Sequence, residues 1–330
     1  MKKNIKHFFL LTALAAGTIH LANRFVDITA QMKNILKSQN GEYFDWKNGK
    51  IFYTKRGKGS PILLIHELNP ISSSYEWCRI VKKLEKDYTV YTLDLLGCGR
   101  SDKPYLTYTN YLYVQLITDF IQNVIGEKPD VITTNNAVSF AVLAQNMNKN
   151  LINRIIAINP PALGEFERTP DKFSTVKKTL LELPIIGTFI YNIRTHETNI
   201  AKELRETYFY KSQLVSSKML DAYYEAAHIH SSRGKYLMAS IEGNYTDNAI
   251  AHALKKLEKP LYIIESRSLP NAVSTADSYV KNNSLIETAY ISNARLVPQL
   301  EVPDKLLSII HMFLNNNQHR PSNGRFALRL

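Results

Sequence analysis

The sequence predicts an α/β fold: a mostly parallel central sheet flanked by helices and broken once by an inserted block of helices. Three observations carry this. Short apolar strand candidates, such as PILLI at 61–65 and RIIAI at 154–158, alternate with segments of helical period, as a sheet covered on both faces requires. Between residues 161 and 254 that alternation stops and helical patterning takes over. The chain has 330 residues, 45% of them hydrophobic, which suffices for one large core with an insertion.

In chain order, EYFDWKNGKIFYTKRG reads as two strands joined at Asn48-Gly49, a dipeptide suited to a two-residue hairpin turn. PILLIH is a buried strand. SSSYEWCRIVKKLEKD is expected to be a helix, because Ser73 and Glu76 stand at capping-box spacing. YTVYTLDLLG is a strand, TYTNYLYVQLITDFIQNVIG a long helix stopped by Gly126, DVITT a strand, AVSFAVLAQNM a helix and RIIAIN a strand. Within the insertion TVKKTLLELPIIGTFIYNI and SKMLDAYYEAAH are the clearest helices. PLYIIES and IETAYIS resume the strands, and PDKLLSIIHMFL closes with a helix whose first-turn residue is Pro303. The chain thus divides into an N-terminal segment 1–26, a core in two parts, 27–160 and 255–314, around the insertion 161–254, and a basic polar tail 315–330.

Lys2, Lys3 and Lys6 precede a mostly apolar stretch from Phe8 to Ala22, the order of a secretory signal or signal anchor. That stretch is shorter than the ~20 residues a spanning helix prefers, so Asn23 to Val26 would have to contribute. An uncleaved single-pass membrane anchor is the favoured reading, with cleavage near Ala13-Leu14-Ala15 or an amphipathic N-terminal helix as alternatives. The leading lysines place the N-terminus inside, but Arg24, Lys33 and Lys37 beyond the stretch weaken that orientation and leave the side of the membrane open.

Lys and Arg outnumber Asp and Glu by 41 to 29, a net charge of +12, yet they are dispersed, without zinc spacing or an RNA-binding signature. Nucleic acid is therefore not expected as a partner, whereas an anionic membrane surface suits this charge. Cys78 and Cys98 form no disulfide framework and have no metal-ligand spacing; whether they pair with each other stays open. Neither metal nor cofactor is expected.

Three motifs narrow the fold. LLIHELNP (63–70) has the look of a strand followed by a His-Gly turn, DLLGCGRSDKP (94–104) matches an Asp-x-x-Gly-x-Gly-x-Ser-Asp-x-Pro loop, and LVPQLEVPDKLLSIIHMFL (296–314) matches a Pro-x-Leu-Glu-x-Pro stretch before a last helix. Together these resemble the α/β-hydrolase superfamily with a helical cap, over roughly residues 41–314. The resemblance implies a nucleophile on a strand-to-helix elbow, a histidine base, an acid that holds it, and an oxyanion hole of backbone N–H groups.

Each implied position is vacant. The elbow follows small-x-nucleophile-x-small, and VITT followed by NNAVS puts Asn135 and Ser139 at the small positions and Ala137 at the nucleophile. A frame shifted by two gives Ala137-Val138-Ser139-Phe140-Ala141 and makes Ser139 the fallback nucleophile. The acid's position in PLYIIESRSLP holds Ser268, with Glu265 as a displaced candidate; the base's position in Ala294-Arg295-Leu296-Val297-Pro298 holds Leu296. His228 and His230 in the insertion are fallback bases, and His311 reads as a packed or surface residue. Glu67 and Val138 are the oxyanion-hole backbone candidates, and His66 is expected to be structural, packed beneath the elbow.

Loss of the nucleophile or the base alone costs on the order of 10⁶ in turnover in a serine protease. Three vacancies therefore point to a membrane-associated, non-catalytic member whose capped apolar pocket binds a small molecule or a partner. The alternatives are an active ester or amide hydrolase using Ser139 with an unusual base, and cofactor-free, non-hydrolytic chemistry on the same fold.

Overall fold

A strand buried on both faces must send alternate side chains into two separate cores. The computed structural model describes residues 14, 16–26, 28–29, 32–37 and 41–315. Its strands are β1 (Gly41–Trp46), β2 (Gly49–Arg56), β3 (Pro61–Ile65), β4 (Thr89–Leu93), β5 (Asp130–Thr134), β6 (Arg154–Ile158), β7 (Leu261–Ser266) and β8 (Ile286–Ile291). They form one sheet in the order β1-β2-β4-β3-β5-β6-β7-β8, antiparallel at β1–β2 and β2–β4 and parallel elsewhere. From β3, Ile62 and Leu64 enter the core that contains Trp77 and Ile264, while Leu63 and Ile65 enter the one that contains Phe140 and Ile263.

Helices cover both faces. They are α1 (Val81–Leu84), α2 (Asn110–Phe120), α3 (Val138–Met147), α4 (Lys172–Glu182), α5 (Ile186–Arg194), α6 (Glu197–Glu203), α7 (Ser217–His228), α8 (Gly234–Glu242), α9 (Ala251–Lys255), α10 (Ala272–Asn282), α11 (Pro298–Glu301) and α12 (Pro303–Asn315). The helices from α4 to α9 fall between β6 and β7, as the interrupted alternation predicts. A wider turn, Ile121–Ile125, extends α2 to Gly126, whose left-handed φ of 74° ends it as expected.

Two local expectations fail. The β1–β2 loop is Lys47-Asn48, because Gly49 is already paired with Trp46 across the ladder. Gly49 instead supplies the positive φ, 142°, at the first paired position. SSSYEWCRIVKKLEKD does not form one helix but a 3₁₀ turn, Ser74–Trp77, followed by the short α1. Ser73 caps that turn through Tyr75 N–H, yet Glu76 does not return to the cap. It points into the protein instead.

The loop after β4 locks these layers together. Asp94 is fully buried and accepts from Arg100 Nε at 2.7 Å, Arg100 N at 2.8 Å and Ser74 N at 2.8 Å. Arg100 also lies over the Phe52 ring at 3.8 Å and donates to the Leu36 carbonyl at 2.9 Å. Lys103, from the same loop, sends its buried ammonium to the Ala226 carbonyl near the C-terminus of α7, 2.6 Å away, where a cation complements the helix dipole. Cys78 and Cys98 are both free thiols. The N-terminal anchor expectation falls partly on residues 1–13 and 15, outside the described residues; among the described residues no helix is long and apolar enough to cross a membrane. The tail beyond Asn315 is likewise outside them.

Burial alone would raise the Asp94 carboxyl, but the Arg100 charge and hydrogen bonds outweigh it and hold it at about 2, below the ordinary 3.8. The pair's contribution is therefore complete above pH 3.8 and is lost as pH falls toward 2. Arg100→Ala should cost about 3–5 kcal/mol at neutral pH, because it strands a buried carboxylate. Urea unfolding at pH 7 and pH 3 reads this out as a deficit that narrows at the lower pH.

Candidate functional site

The strained corner between β5 and α3 falls on Asn135. It follows Thr134, the last residue of β5, and has a φ of 48°, whereas Ala137 is already helical with φ −64° and ψ −16°. Asparagine tolerates the left-handed region better than most residues with a side chain. The small-x-corner-x-small pattern is thus Thr133-Thr134-Asn135-Asn136-Ala137, two residues upstream of the expected frame. Ala137 is corrected from the corner to the second small position, where a small residue lets α3 approach the sheet. The corner still lacks a nucleophile, since a carboxamide is none.

Ser139 lies within the first turn of α3 rather than at the corner. It is buried, its hydroxyl donates to the Asn136 carbonyl at 2.9 Å, and it accepts from Asn110 Nδ2 at 3.0 Å. Neither contact is a base. Val138 N–H is absorbed by the helix turn, bonding to the Asn135 and Asn136 carbonyls, so Val138 is corrected as an oxyanion donor.

With the corner at Asn135, the residue after it is Asn136, and the facing turn is His66-Glu67-Leu68 after β3. Asn136 bridges the two: its Oδ1 accepts from Leu68 N–H at 2.8 Å and its Nδ2 donates to the Leu68 carbonyl at 3.2 Å. A donor available to stabilise an oxyanion is thereby occupied by the protein's own carboxamide. His66 is buried between the turns after β3 and β4. Burial lowers its pKa, so the ring is neutral; Nε2 accepts from Leu95 N–H at 3.0 Å, which leaves Nδ1 to donate to the Glu67 carbonyl at 2.7 Å.

Glu67 acts here through its side chain. Its buried carboxylate accepts from Asn135 Nδ2 at 3.0 Å, Ser72 Oγ at 3.0 Å and the Tyr208 hydroxyl, which descends from the insertion. Burial raises its pKa, and those three hydrogen bonds pull it back. Nearby, Glu76 is buried with Oε1 unpartnered, while Oε2 accepts from Gln299 Nε2 at 3.4 Å. Burial and the Glu67 charge push the Glu76 carboxyl well above its ordinary value.

The acid and base positions hold no triad side chain. Ser268 is half-buried in the turn after β7. Glu265, two residues along β7 from Ile263, faces the same side of the sheet; Tyr279 lies near it, and its Oε1 has no partner. Leu296 packs against the apolar cluster of Tyr208, Tyr223, Val297 and Leu300, and the Leu296 and Arg295 carbonyls accept from Asn159 Nδ2. His228 is buried, bonded to Thr195 and to the Tyr224 carbonyl, and burial lowers it to about 4. His230 reaches the Arg100 carbonyl at 3.3 Å, and His311 stacks on Tyr88. The fallback nucleophile and fallback bases therefore sit in separate hydrogen-bond networks.

That same cluster beneath the insertion includes Phe209 and Met219. Two surface depressions, of about 450 and 490 Å³, lie elsewhere, beside Arg267 and Asn271 and beside Lys55 and Glu85. Among the described residues no group of three or more His, Cys, Asp or Glu side chains is placed to hold a metal ion. Sequence reasoning missed Asn136, Glu76, Gln299 and Tyr208. Glu76 carried a signal, but a local one that pointed to helix capping, while Tyr208 and Gln299 meet the turn only through tertiary packing.

A family model for the alpha/beta hydrolase fold matches residues 60–132, a stretch that ends just before the corner. A curated relative, the 2-hydroxy-6-oxo-6-(2'-aminophenyl)hexa-2,4-dienoic acid hydrolase of Metapseudomonas resinovorans, is 34% identical over 71 residues, 21% of this chain and 24% of that protein. The chain is thus matched over about a quarter of that relative's length. Among solved structures, a bacterial membrane phospholipase A superposes with a TM-score of 0.67 at 18% identity, over 97% of this chain and 100% of that one. The CarC serine hydrolase involved in carbazole degradation superposes with a TM-score of 0.67 at 16% identity, over 83% of this chain and 98% of that one.

Two measurements check this geometry. Tyr208→Phe should cost about 1–3 kcal/mol by removing a donor from a buried carboxylate, and less than additively when combined with Glu67→Gln; urea unfolding of the two single variants and the double variant reads both effects. Burial raises Glu265 from 4.5 to about 8, so its contribution is complete below pH 4.5 and is lost as pH rises toward 8. Glu265→Gln, an isostere of the protonated form, should match the parent near pH 4.5 and exceed it at pH 8 by on the order of 4 kcal/mol. Thermal melts across that range supply the comparison.

Proposed function

This chain is an α/β-hydrolase-fold protein, and from that premise we propose that it is a membrane-attached binding module without serine-hydrolase activity. The observation that carries this reading is the Asn135-Asn136 corner. Where a nucleophile and an open oxyanion site would be needed, one carboxamide binds the Glu67 carboxylate and the next occupies Leu68 N–H. An anionic transition state there would meet a carboxylate and a carbonyl oxygen instead of donors. Leu296 in an apolar cluster supports the same reading, since nothing at that position can accept a proton.

The packed cluster beneath the insertion favours binding at the surface over binding in an interior pocket. Membrane attachment is supported by the order of Lys2, Lys3 and Lys6 before an apolar stretch, and by the neighbour described as a membrane phospholipase, whose superposition extends over 97% of the chain against 83% for CarC. Non-hydrolytic chemistry on the same fold would require a base facing an open cavity, and the histidines of the insertion bond elsewhere.

The test is labelling of the full chain with a serine-reactive fluorophosphonate, beside Ser139→Ala and with a panel of aryl esters. No labelling and no turnover in either protein, from samples that melt cooperatively, is the expected outcome. Labelling and turnover that vanish in Ser139→Ala would restore the hydrolase.

A further inference from the structure

We propose that one face of the insertion rests on an anionic phospholipid bilayer, seated by three adjoining apolar helix faces; this deepens the membrane reading above and rests on it. In a surface helix the apolar stripe normally faces the core. In α4 the arrangement is reversed: Phe173, Val176 and Leu180 recur at helical spacing on the outside, Phe173 being 84% exposed and Val176 68%. Ser174 and Leu181 are the buried residues of that helix. In α5 the exposed side chains are Ile186, Phe189 and Ile193, again at helical spacing, while Gly187, Tyr191 and Asn192 turn inward.

A helix over residues 16–26, ahead of β1 in the chain, joins this surface. Asn23 Oδ1 accepts from Asn192 Nδ2 at 2.8 Å in a buried contact, so the helix packs along the flank of α5. Its less exposed residues, Ala16, Ile19, Asn23 and Val26, form one stripe. Leu14, Leu21, Phe25 and Ile28 form another, with Leu21 71% and Phe25 69% exposed. At 3.6 residues per turn the second stripe spans roughly a sixth of a turn, on the side of the helix opposite the first. The residues that dock the helix are thus not those it presents outward.

Charge selects the occupant. Arg24, Lys33 and Lys37 stand against Asp27 in 14–37, and Lys172, Lys177, Lys178 and Arg194 stand against Glu182 in 172–194. Glu242 of α8 pairs with Lys177 and Arg194, Glu182 with Lys178 and Asp221 of α7 with Lys33, so the seven cations face Asp27, Glu182, Glu242 and Asp221 and remain in excess beside the apolar side chains. Apolar side chains rimmed by cations suit the acyl boundary beneath acidic headgroups. The chain also continues upstream from Leu14 as Phe8-Phe9-Leu10-Leu11-Thr12-Ala13, preceded by Lys2, Lys3 and Lys6, so the same chemistry extends from this surface into the sequence before it.

The experiment uses the full chain, with single tryptophans at Phe173→Trp, Phe189→Trp and Tyr43→Trp. The last lies on the edge strand β1 and serves as the control, and the native Trp46 and Trp77 are buried. Vesicles are mixed phosphatidylcholine and phosphatidylglycerol, with and without bromines on the acyl chains. Flotation with the vesicles, together with a roughly twofold bromine quenching at 173 and 189 and none at 43, is expected for side chains seated at the acyl boundary. Flotation without quenching at 173 and 189 would overturn this inference and leave the membrane attachment standing. Absence of flotation would overturn both. A discrete dimer by sedimentation, with 173 and 189 shielded in the absence of lipid, would assign the face to a second copy of the chain and overturn the bilayer.

Discussion

The turn after β3 is organised by the need of one buried carboxylate for donors. Glu67 cannot leave the interior, because the backbone on either side of it is committed: His66 is tied to Leu95, and Leu68 is bridged to Asn136. A carboxylate held there requires hydrogen bonds from whatever surrounds it. It takes them from Asn135 at the corner, Ser72 in the following loop and Tyr208 in the insertion. Those three donors come from three separate parts of the chain, so a single buried carboxyl group ties the sheet, the corner and the insertion together.

The same contact draws the insertion down. Tyr208 can reach Glu67 only if the insertion sits close to the sheet, and its ring then packs with Tyr223, Leu296 and Leu300. Glu76 lies nearby, and burial together with the neighbouring Glu67 holds its carboxyl well above the ordinary value. Its Oε1, Gln299 Oε1 and the Tyr223 hydroxyl are buried without partners, so this core is polar where most cores are apolar.

Around this centre the scaffold is intact. The Asp94–Arg100 pair, the His66 link beneath the corner and the Glu301 carboxylate, which accepts from Tyr210, Lys211 and Arg295 N–H, hold the loops on which a hydrolase would place its reacting groups. Supporting interactions and reacting side chains occupy different positions in this fold, so the first can persist without the second. The apolar outer faces of α4 and α5 lie on the insertion, away from the corner, and neither the strand ladder nor the Glu67 network depends on them.

The sequence by itself determined the layered architecture. Alternating apolar strands and helices, the left-handed stop at Gly126 and the helix from Pro303 all depend on near neighbours or on motifs with fixed spacing, and each is legible from the residues alone. It also showed that the corner lacks a serine. Where the strand ends and the corner begins was decided by the ladder, which keeps Thr134 paired with Ile158 and so places the strain on Asn135 rather than Ala137. Glu76 illustrates the limit in one residue: its spacing from Ser73 indicates a capping role, yet its side chain turns inward because Gln299, 223 residues away, meets it there. Periodicity and spacing report interactions between near neighbours in the chain. A buried polar contact depends on which distant elements the closed sheet brings together, and only the tertiary structure contains that.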